Sequence, residues 1–166
     1  MVETPLQRLL VLALRLMMGW VFFYAGTRQI FMIDNWSAAS FLAGAKTFKP
    51  FYDLFTAPAL APAISFLVKW GHFLIGLSLI SGLLVRVSGL IGALLMILYY
   101  FPRLDGWYVA GPNNLIVEYH LVYATVLVYL VVAHAGRVFG LDGRIDDLPV
   151  LKDVVARKPG LRALFS

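Results

Sequence analysis

Long apolar runs separated by short polar stretches set the outline of this chain. Leu6–Ile33, Ile64–Val85, Val87–Phe101 and Val117–Val138 each read as a membrane-spanning helix. A helix needs about 20 apolar residues to cross the hydrocarbon core of a bilayer. Three runs reach that length; the third is shorter, and its end is expected to lean on Pro102–Leu104. Spans two and three are joined through Leu84–Ser88, a connection so tight that they must be antiparallel neighbours. Gly19, Gly26, Gly71, Gly76, Gly82, Gly89 and Gly92 mark the expected packing seams, because small side chains let helices approach closely in lipid.

The connections have their own patterns. Asp34–Pro62 holds two amphipathic pieces, Trp36–Ala45 and Phe51–Phe55, separated by Lys49-Pro50. Pro102–Ile116 carries Trp107, Tyr108, Gly111, Pro112, Asn113 and Asn114. Trp and Tyr favour the membrane–water boundary, so both connections are expected to lie over the outer end of the bundle, as interfacial anchors or as a lid. Gly140-Leu141-Asp142-Gly143 is expected to break the fourth helix. Beyond it, Leu148, Leu151 and Val155 recur at helical spacing, behind Asp146 and Asp147 and ahead of Arg157-Lys158. Such a short helix suits the inner membrane surface or a soluble partner. The reading is an all-α polytopic membrane protein, a four-helix transmembrane domain over residues 1–145 and a cytoplasmic surface tail over 146–166.

Composition agrees with membrane insertion: 61% of the residues are hydrophobic and only 14% charged. The net charge of +5 is not a nucleic-acid signal. Arg137, Arg144, Lys152, Arg157, Lys158 and Arg162 cluster at or beyond the end of the last span, where cytoplasmic charge is expected. With Arg8 and Arg86 on the same side, both termini are expected in the cytoplasm of a prokaryotic cell, with the chain multi-pass in its membrane. Glu3 and Arg15 argue against a cleavable signal peptide. The chain has no cysteine, which removes disulfide exchange, iron–sulfur ligation and covalent c-type haem.

Charged and imidazole groups inside the spans are the candidate chemistry, since each is costly there unless partnered. They are Arg15, Arg28, Lys69, His72, Glu118, His120 and His134. In the orientation above, Tyr24, Arg28, Lys69, His72, Glu118, His120 and Tyr123 fall in the outer halves of their spans. Tyr24 and Arg28, Lys69 and His72, and His120 and Tyr123 are three or four residues apart, so each pair shares a helix face. Glu118 and His120 are two apart and face differently; Glu118 is expected at the frayed helix start, reaching Arg28 or Lys69.

The functional reading is an outer-leaflet pocket for a polar head group. His72 and His120 are the candidate proton-exchanging residues. Arg28, Lys69, Tyr24, Tyr123 and Glu118 are the candidate binding residues, and a quinone fits the mixture of apolar walls and donors. The bland alternative is an Arg28–Glu118 ion pair with histidines bonded to backbone. Arg15 is expected nearer mid-membrane, with no acid at its depth and a fixed role in packing through carbonyls or hydroxyls such as Ser78 or Thr125. Haem is disfavoured, because His72 and His120 fall about 5–8 Å apart in depth at ~1.5 Å per residue. No metal-ligand motif is present.

Four motifs in order resemble the DoxX/DoxD family of small four-helix membrane proteins. They are Arg15-x-x-x-Gly19 with Tyr24-Ala25-Gly26; Gly76-Leu77-x-x-x-x-Gly82-Leu83 with Arg86; Glu118-Tyr119-His120; and Gly140-Leu141-Asp142. The resemblance implies a membrane component of a quinone-linked, possible thiosulfate:quinone, oxidoreductase working with other membrane redox subunits. A non-catalytic scaffold that anchors a larger complex is the alternative. A homo-oligomer is left open.

Overall fold

The computed structural model describes residues 4–109 and 115–147. Four long helices form the body. Helix α1 (Pro5–Thr27) starts on a capping box, in which Thr4 and Gln7 each accept from the other's backbone N–H, with Pro5 in the first turn. Its last turn widens at Arg28–Met32 into a π-type turn. Two short helices follow, α2 (Ala39–Leu42) and α3 (Lys49–Thr56). Lys49-Pro50 was expected to separate the amphipathic pieces; instead it opens α3, because proline suits a first helical turn. Then come α4 (Ala61–Ser81), α5 (Val85–Tyr100) and α6 (Tyr119–Val132). Leu104–Asp105 and Tyr108–Val109 pair as a minimal antiparallel hairpin between α5 and α6.

With its tight final turns, three stretches are long and apolar enough to cross a membrane: Pro5–Met32, Ala61–Ser81 and Val85–Arg103. The turn at Phe101–Arg103 is the support expected for the third span. The fourth helix is shorter than its apolar run. It ends at Val132, and His134 takes a left-handed conformation (φ 50°), so the chain folds into tight turns before Val138. At about 1.5 Å per residue its 14 residues span about 21 Å. His134, expected inside the span, is exposed at its end. The expected tail at 146–166 lies outside the described residues, apart from the backbone turns that end at Asp147. Gly111–Asn114 lies outside them as well.

Helix α1 packs chiefly on α4, and α5 on α6, with α4–α5 and α1–α6 contacts closing the ring. The first pair is unusually close. A side chain at Gly26 would overlap the backbone of Phe73, and one at Gly76 would overlap the backbone of Phe23. These two glycines fulfil the seam expectation. Gly71 does not: a Cβ there would meet no atom within 4 Å. The core is built from Phe22, Ile75, Leu79, Met96, Leu127 and Leu130. Outward, Leu9, Met17, Phe66, Leu67, Leu94 and Val132 are more than half exposed, as a lipid-facing surface requires.

Candidate functional site

Depth within the bundle separates two polar groupings. The first lies toward the end that carries the hairpin and α2–α3. Helix α6 begins at Glu118, whose backbone is extended (φ −115°, ψ 160°) and whose carboxylate caps the helix. Glu118 Oε2 accepts from the backbone N–H of His120 at 3.0 Å and from His120 Nδ1 at 2.6 Å. Glu118 is 1% exposed and His120 5%. The other oxygen, Oε1, has no hydrogen bond among the described residues; Arg103 Nε stands 3.8 Å away. The expected Glu118 partners were Arg28 or Lys69. The observed ones are His120 and Arg103, because the cap turns the carboxylate back along its own helix.

His72 lies on the buried face of α4, and its Nδ1 meets the carbonyl of Val68 at 2.9 Å. The carbonyl fixes the proton on Nδ1. The ring of Tyr99, from α5, joins the two imidazoles, with centroids 5.7 Å from His72 and 5.7 Å from His120. Both histidines thus stand against one aromatic ring. Both open on one cavity of about 220 Å³ between α1, α4, α5 and α6. Phe22, Met96 and Val21 give it an apolar wall, and Gln29, Tyr99, Tyr119 and Tyr123 add polar atoms. Gln29 Oε1 is buried and without a hydrogen-bond partner among the described residues.

Not every expected residue reaches this cavity. His72, His120 and Tyr123 line it, and Glu118 stands behind His120. Tyr24 is 47% exposed and stacks on Trp20, with centroids 6.0 Å apart. Arg28 is exposed, and Lys69 is half-buried on the flank of α4; neither lines the cavity. Tyr24 and Arg28 do share a face, as their spacing requires, but it is the wrong one. The buried face of α1 runs through Phe22 and Gly26. A two-residue step rotates a side chain by about 200°, which turns Tyr24 and Arg28 away from the bundle. Gln29 and Phe22 were missed as lining residues. The face defined by Gly19 and Gly26 was the signal that could have found Phe22.

The second grouping secures the opposite end. Arg15 is 1% exposed. Its Nη1 donates to the carbonyls of Ala135 at 2.5 Å and Val138 at 2.8 Å, in the turns after α6. The expected hydroxyl partners are not used: Ser78 instead donates to Leu83 O and bonds Ser88, and Thr125 donates to Leu121 O. Gly82 and Gly140 flank the guanidinium so closely that a Cβ would stand 2.9 Å and 2.7 Å from Nη1. Asp142 lies within electrostatic reach of Arg15. Its carboxylate accepts from the N–H groups of Leu84 at 2.7 Å and Val85 at 3.1 Å, capping α5. An acid was not expected near Arg15, because Asp142 follows the last span in sequence and folds back to it.

No curated protein and no solved structure matches the chain in the comparisons made. The DoxX family model matches residues 10–102, from within α1 to just past the end of α5, and the match includes Arg15, Gln29, His72 and Tyr99. The resemblance read from the motifs thus agrees with a match over more than half of the chain, and this helical membrane protein belongs to the DoxX family.

Proposed function

We propose that the chain is the membrane component of a quinone-linked oxidoreductase system and holds a quinone head group in the cavity between α1, α4, α5 and α6. One observation carries this reading: two histidines from different helices open on the same cavity across the ring of Tyr99, and one of them is backed by a buried carboxylate.

The residues fit the ligand's chemistry. A quinone ring needs flat apolar walls, which Phe22 and Met96 offer, and its two carbonyls need donors. Both imidazoles use Nδ1 within the protein, on Val68 O and on Glu118. Nε2 of each ring has no hydrogen bond among the described residues and remains for a ligand. A neutral Nε2 takes a proton from a quinol hydroxyl; a protonated one donates to a quinone carbonyl. Glu118 orients His120, the role a carboxylate plays behind an imidazole base. Arg103, 43% exposed, lies between Glu118 and the surface of the hairpin end.

Interconversion of quinone and quinol moves two electrons and two protons. His72 and His120 handle the protons in this reading, and a partner redox subunit exchanges the electrons. With both termini cytoplasmic, the cavity opens toward the outer leaflet. The test is binding of a tail-less quinone analogue to the protein in nanodiscs, with His120→Gln and His72→Gln compared. Loss of a hydrogen bond to a charged group costs about 1.5–3 kcal/mol, so affinity should fall about tenfold to a hundredfold while the fold persists. Unchanged affinity in both variants overturns the reading and leaves the scaffold role.

A further inference from the structure

A second cavity, of about 240 Å³, opens between α4 and α5 and is closed at the hairpin end by residues of α2 and α3. It is a different environment from the polar cavity. Apart from two tyrosine hydroxyls, every lining side chain is apolar. The Tyr52 hydroxyl is already used, donating to Leu98 O at 2.9 Å. The other belongs to Tyr99, which lines both cavities. A space of about 150 Å³ already admits a benzene-sized molecule, so this cleft has room for a length of hydrocarbon chain.

Gly71 gives an independent indication. It sits in the interior of α4, where glycine is less favourable than alanine. Gly26 and Gly76 are explained by touching backbones, but a Cβ at Gly71 would meet no atom within 4 Å, and Gly71 lines the cleft. Its missing side chain leaves room there, and no described protein atom uses that room. The rim is open to the hydrocarbon side: Leu67 is 64% exposed and Ile91 53%. Tyr99 forms the partition toward the polar cavity. Its ring is held by contacts with Phe41, His72 and His120, and its hydroxyl makes no hydrogen bond among the described residues.

We propose that this cleft is the chain subsite for the ligand of the polar cavity: it holds the first isoprenoid units of the quinone, which passes Tyr99 with its head group toward His72 and His120. The proposal rests on the quinone reading of the polar cavity. The common wall at Tyr99 selects this occupant over a phospholipid chain. Lipid tails are as apolar as the cleft, so burial alone favours neither. A chain tethered to a bound head group is present at high effective concentration, and a free lipid chain is not.

The test uses the full-length protein in phospholipid nanodiscs and a quinone carrying a photoreactive group on the isoprene unit next to the ring. Labelling should concentrate on Leu67, Gly71 and Leu95. Gly71→Leu fills the cleft and should reduce that labelling about tenfold, with binding of the tail-less analogue unchanged. Gly71→Ala, which fits without displacing any atom, should fold at least as stably as wild type and show a smaller reduction. Equal labelling of lipid-facing Met17 and Leu94, or labelling indifferent to Gly71→Leu, overturns the chain subsite. A photoreactive phospholipid that labels the cleft as strongly as the quinone also overturns it. If the tail-less analogue fails to bind while chain labelling still depends on position 71, the head-group reading falls and the chain site stands.

Discussion

Glu118 holds His120 at two points, its Oε2 accepting from the backbone N–H at 3.0 Å and from Nδ1 at 2.6 Å. Residues two apart on a helix point to different faces, so this contact exists only because Glu118 is the extended cap residue and not part of α6. One carboxylate oxygen therefore starts the helix and orients the imidazole together. Glu118→Ala should lower stability by about 1–3 kcal/mol, the cost of leaving buried donors without partners. Glu118→Gln, which keeps an acceptor, should cost less. The measurement is thermal unfolding in detergent, combined with the NMR signal of the His120 Nδ1 proton. That proton should lose its downfield position in Glu118→Ala; an unmoved signal would show that the carboxylate does not orient the ring.

Arg15 should behave differently. Replacing it with methionine leaves the Ala135 and Val138 carbonyls without their donor and Asp142 without its nearby charge. Removing one partner of a buried charged network costs about 3–5 kcal/mol. The folded fraction of Arg15→Met should still bind the tail-less quinone analogue with wild-type affinity, since Arg15 does not line the cavity. A selective loss of affinity without loss of stability would move Arg15 into the binding machinery.

The sequence carried the helices and the family more readily than the site. Apolar runs located all four long helices, because lipid-facing and core-facing positions are both apolar. They could not locate the end of α6, which depends on His134 adopting φ 50° to let the chain turn back toward Arg15. Three of the four family-like motifs meet at one place that is not the cavity. Arg15, Gly82, Gly140 and Asp142 pack together at the far end of the bundle. Glu118-Tyr119-His120 contributes to the polar cavity instead, joined there by Ala25 of the first motif. Depth is legible and angle is not: counting along the spans groups Tyr24 and Arg28 with His72, although the buried face of α1 runs through Gly19, Phe22 and Gly26.

The α1–α4 seam yields a third expectation. Gly26 meets the Phe73 backbone and Gly76 meets the Phe23 backbone, so neither can accept a larger side chain without moving a helix. Gly26→Val and Gly76→Val should each destabilise by about 1–3 kcal/mol, the usual range for overpacking. The double variant should cost less than the sum, because a single separation of the helices relieves both overlaps. Strict additivity in thermal unfolding would show that the two contacts are independent.

Membrane orientation is open to a direct check. The positive-inside rule, applied to Arg8, Arg86 and the basic residues that follow α6 in sequence, leads to the expectation that both termini are cytoplasmic. A reporter active only in the cytoplasm should work when fused after Ser166, and one active only outside should not. The reverse result would put the polar cavity in the inner leaflet.

Asp142 makes the last expectation, and its sign depends on burial. The residue lies after α6, yet caps α5 through the N–H groups of Leu84 and Val85. Asp142→Ala leaves both donors unpaired and should lower stability by about 1–3 kcal/mol. Burial pushes its carboxyl above the ordinary value of 3.8, against the opposing pull of the two N–H groups, Arg15 and Arg137. The folded chain thus holds this proton more tightly than the unfolded chain. The contribution to stability is greatest below the ordinary value and declines as pH rises from there through the raised folded value, after which it is constant. Asp142→Asn does not titrate and should lack this decline while retaining one acceptor for the cap. Thermal unfolding of both proteins across the acid range provides the measurement. A wild-type curve parallel to that of Asp142→Asn would mean that the carboxyl keeps its ordinary proton affinity in the fold, and that the N–H groups and arginines fully offset its burial.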